Sequence, residues 1–199
     1  MVWPFISTNR QASRLGLVLA NERLLLRSPQ RQDFAAWREL RQKSRSFLQP
    51  WEPAWPADDL TQAAFNLRIK RYTLEIDRGE AYPFFIFAAT DSALLGGLNL
   101  SNVRRGAASM ATLGYWMGQA HAGQGIMSEA VQMIVPFAAE RLNLRRLEAA
   151  CLPENAASLR LLEKAQFLRE GYAREYLMIN GDWRDHILLG RSTTRSDPT

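Results

Sequence analysis

Apolar positions in this chain fall into two kinds of pattern, short strand-like runs and helical repeats, and the two alternate. Residues 22–27 (ERLLLR) make a first strand, followed by Ser28-Pro29, which sets proline at the tolerated first position of a helix. Phe34, Trp37 and Leu40 mark that helix's buried face. Asp58 and Asp59 open a second helix that runs to about Asp77. Residues 82–90, 94–103 and 109–118 read as three strands joined by short turns. Ile126, Ala130, Ile134, Phe137 and Leu142 then recur on one helical face, opposite Ser128, Glu129, Gln132, Glu140 and Arg141. Pro136 sits inside this helix and predicts a kink. Residues 145–152 (RRLEAACL) alternate as a strand does, so the helix before them makes a right-handed crossover between parallel strands. Asn155 is set to cap a short helix with Ser158 in its first turn. Residues 168–179 and 183–189 pair through Asn180-Gly181, a strong hairpin dipeptide. The sum is an α/β chain: a mixed sheet with helices on both faces.

A length of 199 residues suffices for one well-cored domain. Residues 1–20 read as an N-terminal extension, 21–191 as the domain and 192–199 as a tail. The segment 49–56 (QPWEPAWP) is too short and too aromatic to be a flexible tether. A single cysteine excludes an internal disulfide framework and suits a reducing compartment. Residues 1–6 are briefly apolar, but polar and basic residues follow at once, without the order of a signal peptide. No apolar run is long enough to span a bilayer. The expectation is a soluble, cytoplasmic protein with no membrane partner, monomer or homodimer.

Net charge is +5, from 25 Lys+Arg against 20 Asp+Glu. The surplus either draws in polyanionic partners or is an ordinary solvated surface. No basic stripe interleaved with aromatics marks a nucleic-acid module. His121 and His186 are the only histidines, have no partner cysteines, and make no metal site. His121 is read as an exposed turn residue, His186 as a satisfied strand residue, and Arg184 and Asp185 as an ion pair or hydrogen-bonded structural set.

The stretch 114–130 (GYWMGQAHAGQGIMSEA) carries the candidate chemistry. An apolar strand enters a turn with Gly123 and Gly125, and a helix opens directly behind it. The first N–H groups of a helix lack internal partners, and the helix dipole adds partial positive charge there. Glycines let the backbone approach an anion closely. The turn is neither a P-loop, lacking Gly-Lys-Ser/Thr, nor a dinucleotide fingerprint, lacking the third glycine. On the glycines alone it is either a phosphate grip or a plain strand-to-helix connection.

Taken with the strand and the Asn155–Ser158 helix start that follow, the stretch resembles the GNAT superfamily of acyl-coenzyme A N-acyltransferases. That family's turn, Arg/Gln-x-x-Gly-x-Gly/Ala, matches Ala122, Gly123, Gln124, Gly125, Ile126 and Met127, with Ala122 and Met127 departing from it. Its Asn-x-x-Ser pattern matches Asn155 and Ser158 without a gap. Four segments resemble the RimJ-type ribosomal-protein alanine N-acetyltransferases in particular: 47–53 (FLQPWEP), 101–106 (SNVRRG), 125–130 (GIMSEA) and 170–186 (EGYAREYLMINGDWRDH).

The resemblance implies a GNAT fold, a mixed central sheet of about seven strands splayed between the fourth and fifth. It implies acetyl-CoA as cosubstrate, no metal, and direct attack by an amine in a ternary complex. Backbone N–H groups from about Gln124 to Met127 would hold the pyrophosphate. The pantetheine arm would pair with the edge of strand 109–118, where an N–H of Tyr115, Trp116 or Met117 faces the thioester oxygen. Cys151 need not act and reads as a small buried hydrophobe. Glu175 is either the general base or a solvated strand position. Ser158 is the acid for the leaving thiolate, or else only a hydrogen-bonding residue of the helix start. Leu161 and Leu162 exclude a tyrosine acid from that helix. Residues 47–55 and 99–102 are the candidate acceptor walls. Trp51 would press on a peptide, Trp55 would pack, and Asn99, Ser101 or Asn102 would read a peptide backbone. A free α-amine ionises near about 7.7–8.0, against about 10.4 for lysine, so a modest base suffices for an N-terminal acceptor.

The leading expectation is therefore acetyl transfer to the N-terminal α-amine of a protein, a ribosomal protein first. A small amine, such as an antibiotic or polyamine, is the alternative acceptor. A ribosome-associated CoA-binding factor without catalysis is the reading from another class.

Overall fold

The computed structural model describes residues 17–193. In chain order the elements are β1 (Val18–Ala20), β2 (Leu24–Arg27), α1 (Phe34–Lys43), α2 (Arg45–Leu48), α3 (Gln62–Arg78), β3 (Tyr82–Ala88), β4 (Leu94–Arg104), β5 (Met110–Met117), α4 (Ile126–Pro136), β6 (Arg146–Cys151), α5 (Ala156–Lys164), β7 (Leu168–Ile179) and β8 (Asp182–Ser192). The strands form one sheet in the order β1-β2-β3-β4-β5-β6-β8-β7. Among the described residues only β5 and β6 pair in parallel, as the crossover through α4 requires. The strand beyond the expected seven is β1, whose three residues pair with β2. It comes from the stretch assigned to the N-terminal extension and renumbers the split to the fifth and sixth strands, between the same two segments. The rest of that extension, residues 1–16, and the tail from 194 lie outside the described residues.

Two apolar cores flank the sheet. The larger joins Leu98, Leu100 and Leu113 to the buried faces of α4 and α5, through Ala130, Ile134, Leu159 and Leu162. The smaller joins Trp37 of α1 and Phe65 and Ile69 of α3 to Phe85 and Phe87 of β3. Because β3 is covered on both faces, its sequence YPFFIFA is an unbroken apolar run rather than an alternating one.

Side-chain capping moves two helix starts from their expected positions. Asp58 and Asp59 lie in a turn, and α3 begins at Gln62, where Thr61 Oγ1 accepts the Ala64 N–H at 3.2 Å. Asp59 instead pairs with Arg68 at 2.5 Å. Ser28-Pro29 likewise precedes the helical turn, which opens at Arg31. The Asp33 carboxylate accepts the Gln30 N–H at 2.7 Å and is held by both Nη atoms of Arg27 at 2.8 and 2.6 Å. Pro136 ends the regular part of α4, and a single π turn, Phe137–Arg141, carries the chain on. At the hairpin, Asn180 and Gly181 both have positive φ, 49° and 99°, as a two-residue connection with native twist demands.

The feature that makes a site is where the ladder stops. β5 and β6 pair only through Met110–Arg146, Ala111–Leu147 and Thr112–Glu148. Beyond that point β5 stays with β4 as far as Met117–Gly96, and β6 stays with β8 as far as Cys151–Ile187. Each strand keeps one satisfied edge while the sheet opens between them. At the closed end, Arg104 reaches Glu148 at 3.0 Å, and Arg146 pairs with both Glu148 and Glu170, linking three strands, β4, β6 and β7. These exposed pairs add little stability singly; the apolar packing beneath them holds the halves together. Leu147, with 0% exposure, makes the middle of the three β5–β6 pairs before the split. Leu147→Ala is expected to cost about 2–5 kcal/mol in urea unfolding, through lost burial and the cavity left behind.

Candidate active site

At the open end of β5 the chain turns sharply. Gly118 N–H donates to Leu95 O at 2.9 Å and Gln119 N–H to Ser44 Oγ at 2.9 Å, which fixes the turn against β4 and the end of α1. Gly123 and Gly125 hold left-handed φ values of 75° and 77°, and Gly125 starts α4. A Cβ at either would meet nothing within 4 Å, so glycine is required here by backbone conformation and not by crowding. Glu129 N–H is the first to return into the helix, to Gly125 O at 3.0 Å. The amides before it, from Ile126 to Ser128, are the helix-start donors that no α-helix satisfies internally. Ile126 and Met127 bury their side chains in the core, so the turn presents backbone. Ala122 is half-buried, and Gln124 is exposed with Nε2 donating to Ala120 O at 2.9 Å. The one acidic side chain of the first turn, Glu129, is occupied by Arg23 at 2.6 Å and Asn21 at 2.8 Å. What remains is a cradle of N–H groups at a positive helix end, suited to a phosphate.

Beside the cradle, Tyr115, Trp116 and Met117 lie past the last β5–β6 pair, matched on the β4 side to Leu98, Gly97 and Gly96. Their other edge faces the split. Tyr115 bridges it: its hydroxyl lies 2.6 Å from Ser158 Oγ on α5. Asn155 caps α5, its Oδ1 accepting the Ser158 N–H at 3.1 Å, and so fixes where the serine sits. Burial pushes the Tyr115 hydroxyl above its ordinary range, with the Ser158 bond opposing. The pair is thus two protonated hydroxyls in contact, able to pass a proton along. Burial also pushes the Cys151 thiol up, so it is no thiolate at neutral pH.

On the other face, toward α1 and α3, a cleft of about 150 Å³ opens over β4 and β5. Trp116 forms part of its floor by lying on Gly97, where a Cβ would come 2.5 Å from Trp116 Nε1. Asn99, Gly114, Tyr72 and Glu52 also line it. Asn99 Oδ1 is buried without a hydrogen-bond partner. Glu52 is clamped: Arg41 donates through Nη1 and Nη2 at 2.8 and 2.7 Å, and Trp55 Nε1 donates at 2.8 Å. Arg41 is itself buried, with Trp55 and Trp116 rings 4.1 and 5.1 Å from its guanidinium carbon.

The other expected acceptor residues stand elsewhere. Ser101 Oγ donates to Thr112 O at 3.5 Å, and Asn102, at φ 51° in a bulge, donates to Thr112 Oγ1 at 3.5 Å. Both secure the closed end of the split and neither lines the cleft. Trp51 is 36% exposed and outside the cleft lining. Glu175 is exposed, in a bulge of β7 between Ala173 and Leu177, with φ 48°. Asp185 holds that bulge, accepting the Glu175 N–H at 2.8 Å and the Tyr172 hydroxyl at 2.7 Å, and these two bonds depress its carboxyl below the usual range. Arg184 pairs with Glu154, so Arg184 and Asp185 belong to separate contacts. His186 is buried, with Nδ1 3.0 Å from Arg184 O, and the Tyr176 ring stands edge-on to it at 5.7 Å. Among the described residues no three His, Cys, Asp or Glu side chains cluster to hold a metal ion.

Sequence reasoning missed Glu52, Arg41 and the Tyr115 hydroxyl. Glu52 stood inside the motif FLQPWEP, which was its only signal. A tyrosine was excluded from α5, but the structure supplies one from β5, 43 residues from Ser158, where no local spacing points to it.

Comparison with known proteins agrees with this geometry. The family described as "Acetyltransferase (GNAT) domain" matches residues 23–168. The probable N-acetyltransferase YjcK of Bacillus subtilis (strain 168) is 40% identical over 150 residues, covering 75% of this chain and 83% of that protein. The [ribosomal protein uS5]-alanine N-acetyltransferase of Escherichia coli (strain K12) is 33% identical over 177 residues, covering 88% and 90%. Among solved structures, Mycobacterium smegmatis RimJ in complex with CoA-disulfide superposes with a TM-score of 0.81 at 31% identity, covering 85% of this chain and 81% of that one.

The left-handed turn makes its own prediction. Gly123→Ala and Gly125→Ala each introduce a Cβ at positive φ with open space around it, so each should cost about 1–2 kcal/mol from backbone strain alone. Urea unfolding of the two single variants measures this directly.

Proposed function

The chain belongs to the GNAT acetyltransferase family, and from that premise we propose that it transfers an acetyl group from acetyl-CoA to the N-terminal α-amine of a protein, a ribosomal protein first. The observation that carries this reading is the opening of the sheet after Thr112–Glu148, with an N–H cradle at its mouth and a hydroxyl pair inside it. Acetyl-CoA supplies an activated thioester carbonyl.

This chain's own groups divide the remaining work. Backbone donors of Gln124, Gly125, Ile126 and Met127 suit the pyrophosphate, with Ala122 and Gly123 shaping the approach. The unpaired edge of Tyr115, Trp116 and Met117 suits the pantetheine amides by strand addition, and an N–H there meets the carbonyl oxygen. During transfer a C–N bond forms and the C–S bond breaks; the amine loses one proton and the leaving sulfur gains one. Ser158 is the proposed proton donor to that sulfur, and Tyr115, hydrogen-bonded behind it, is the proposed second donor in line. Glu175 is the proposed acceptor of the amine's proton, re-aimed by the β7 bulge that Asp185 stabilises. Glu175 is itself a non-glycine residue held in the left-handed region, at φ 48°, an arrangement that function often maintains. The substrates named for the relatives, and the single cysteine, support work in the cytoplasm.

The test is an acetyl-transfer assay over peptides beginning with Ala or Ser, blocked peptides offering only lysine, and small amines. Peptides with a free N-terminus should be preferred; transfer to small amines with none to Ala- or Ser-peptides overturns the acceptor assignment. Ser158→Ala should lower kcat by about 10²-fold or more while acetyl-CoA still raises the melting temperature. Tyr115→Phe should lower it less, since the serine hydroxyl remains. Glu175→Gln should cost about 10²-fold if the carboxylate takes the proton; unchanged kcat assigns Glu175 to the solvated surface instead.

A further inference from the structure

The cleft over β4 and β5 contains a polar atom that the fold leaves unused. Asn99 Oδ1 is buried and accepts no hydrogen bond. Such an oxygen is unfavourable unless a donor from outside the fold reaches it. Asn99 stands directly across from Gly114 on β5, two residues past the last β5–β6 pair, so it faces the cleft where the split begins. Gly114 has no side chain to obstruct that passage, and no atom lies within 4 Å of where its Cβ would be.

Glu52 lines the same cleft and is also acceptor-only. Its Oε2 takes two donors, Arg41 Nη2 and Trp55 Nε1, whereas Oε1 takes one, Arg41 Nη1. Oε1 therefore keeps an open acceptor site while the clamp fixes the carboxylate's orientation. The hairpin adds to the rigidity, since Asn180 N–H donates to Glu52 O at 2.9 Å.

We propose that Asn99 Oδ1 and Glu52 Oε1 form a two-acceptor seat for the primary amine that receives the acetyl group. The proposal rests on the acetyl-transfer reading above and deepens it. A neutral primary amine carries two N–H donors and one lone pair. When both protons are given to the seat, the lone pair is left free for attack, and the nitrogen is held against the split. An ammonium form is drawn to the same carboxylate, and its third proton is the one removed before attack. A secondary amine has only one N–H to give once its lone pair attacks, so it leaves one seat oxygen unpaired. A site built to bond an N–H discriminates strongly against an analogue lacking it.

Asn99 is the residue to vary, because Glu52→Gln would also disturb the buried Arg41. Asn99→Leu removes the acceptor at similar size, and Asn99→Asp retains an oxygen. Three readouts are needed: kcat/KM for an Ala-starting peptide, its calorimetric Kd for the CoA-loaded protein, and the preference over the same peptide starting with N-methylalanine. Asn99→Leu should lower kcat/KM and weaken the peptide Kd by about tenfold or more, while the protein's melting temperature stays level or rises because an orphaned oxygen is gone. A merely structural asparagine would lower the melting temperature instead. Asn99→Asp, which keeps an acceptor oxygen, should retain more of the wild-type kcat/KM than Asn99→Leu. Wild type should prefer alanine to N-methylalanine by about tenfold or more, and Asn99→Leu should narrow that gap. Wild-type kcat/KM and Kd in Asn99→Leu, or equal use of the N-methyl peptide by wild type, overturns the seat. A wild-type protein whose melting temperature does not respond to acetyl-CoA overturns the acetyl-transfer reading itself, which separates the two failures.

Discussion

The backbone hydrogen bonds between β5 and β6 run for three residue pairs and then stop, and the rest of the site depends on that interruption. Buried backbone donors and acceptors have to find partners. β5 and β6 each satisfy one edge with β4 and β8, and the freed edges turn toward a common opening. The opening persists because the two halves are tied elsewhere. Apolar packing around Leu147 and the Arg104–Glu148–Arg146–Glu170 row close one end. Tyr115 and Ser158 join the halves inside the opening through a single side-chain bond, in place of a ladder.

Each face of the opening has a different chemistry, set by the alternation of β5. Leu113 and Tyr115 point toward α4 and α5, where the N–H cradle and the hydroxyl pair lie. Gly114 and Trp116 line the cleft on the α1 and α3 side, with Asn99 and the clamped Glu52. A period of two residues thus sets the N–H cradle and the hydroxyl pair on one side and the cleft acceptors on the other, with no side chain at Gly114 between them. The segment 49–55 and the β7–β8 hairpin are bonded to each other over this region through Asn180 and Glu52. Within the hairpin, Asp185 stabilises the bulge that carries Glu175, so a residue read as merely structural sets the path of its neighbour.

Most of the architecture was legible in the sequence because it depends on short-range chemistry. The alternation of 145–152, the amphipathic helix before it and the Asn180-Gly181 turn each announce an element within a few residues. The helix starts at Ser28-Pro29 and Asp58-Asp59 were misjudged for a related reason. Several polar residues near each end can cap, and only the packed structure selects which oxygen meets which N–H, as Thr61 does for Ala64. The three-residue β1 carries too little pattern to stand out without β2 beside it.

The sequence alone determined the glycine turn and the capped serine. Positive φ at Gly123 and Gly125 and the Asn155–Ser158 bond are properties of contiguous residues, and local backbone sterics suffice to fix them. Only the tertiary structure decided what those elements face. That Tyr115 meets Ser158 and that Asn99 Oδ1 is left without a partner follow from strand register and sheet order, and that Glu52 is locked by Arg41 and Trp55 follows from how α1 packs against the loop after α2. Those are set by which buried faces pack together across long stretches of chain, a choice made by the whole core and written in no single motif.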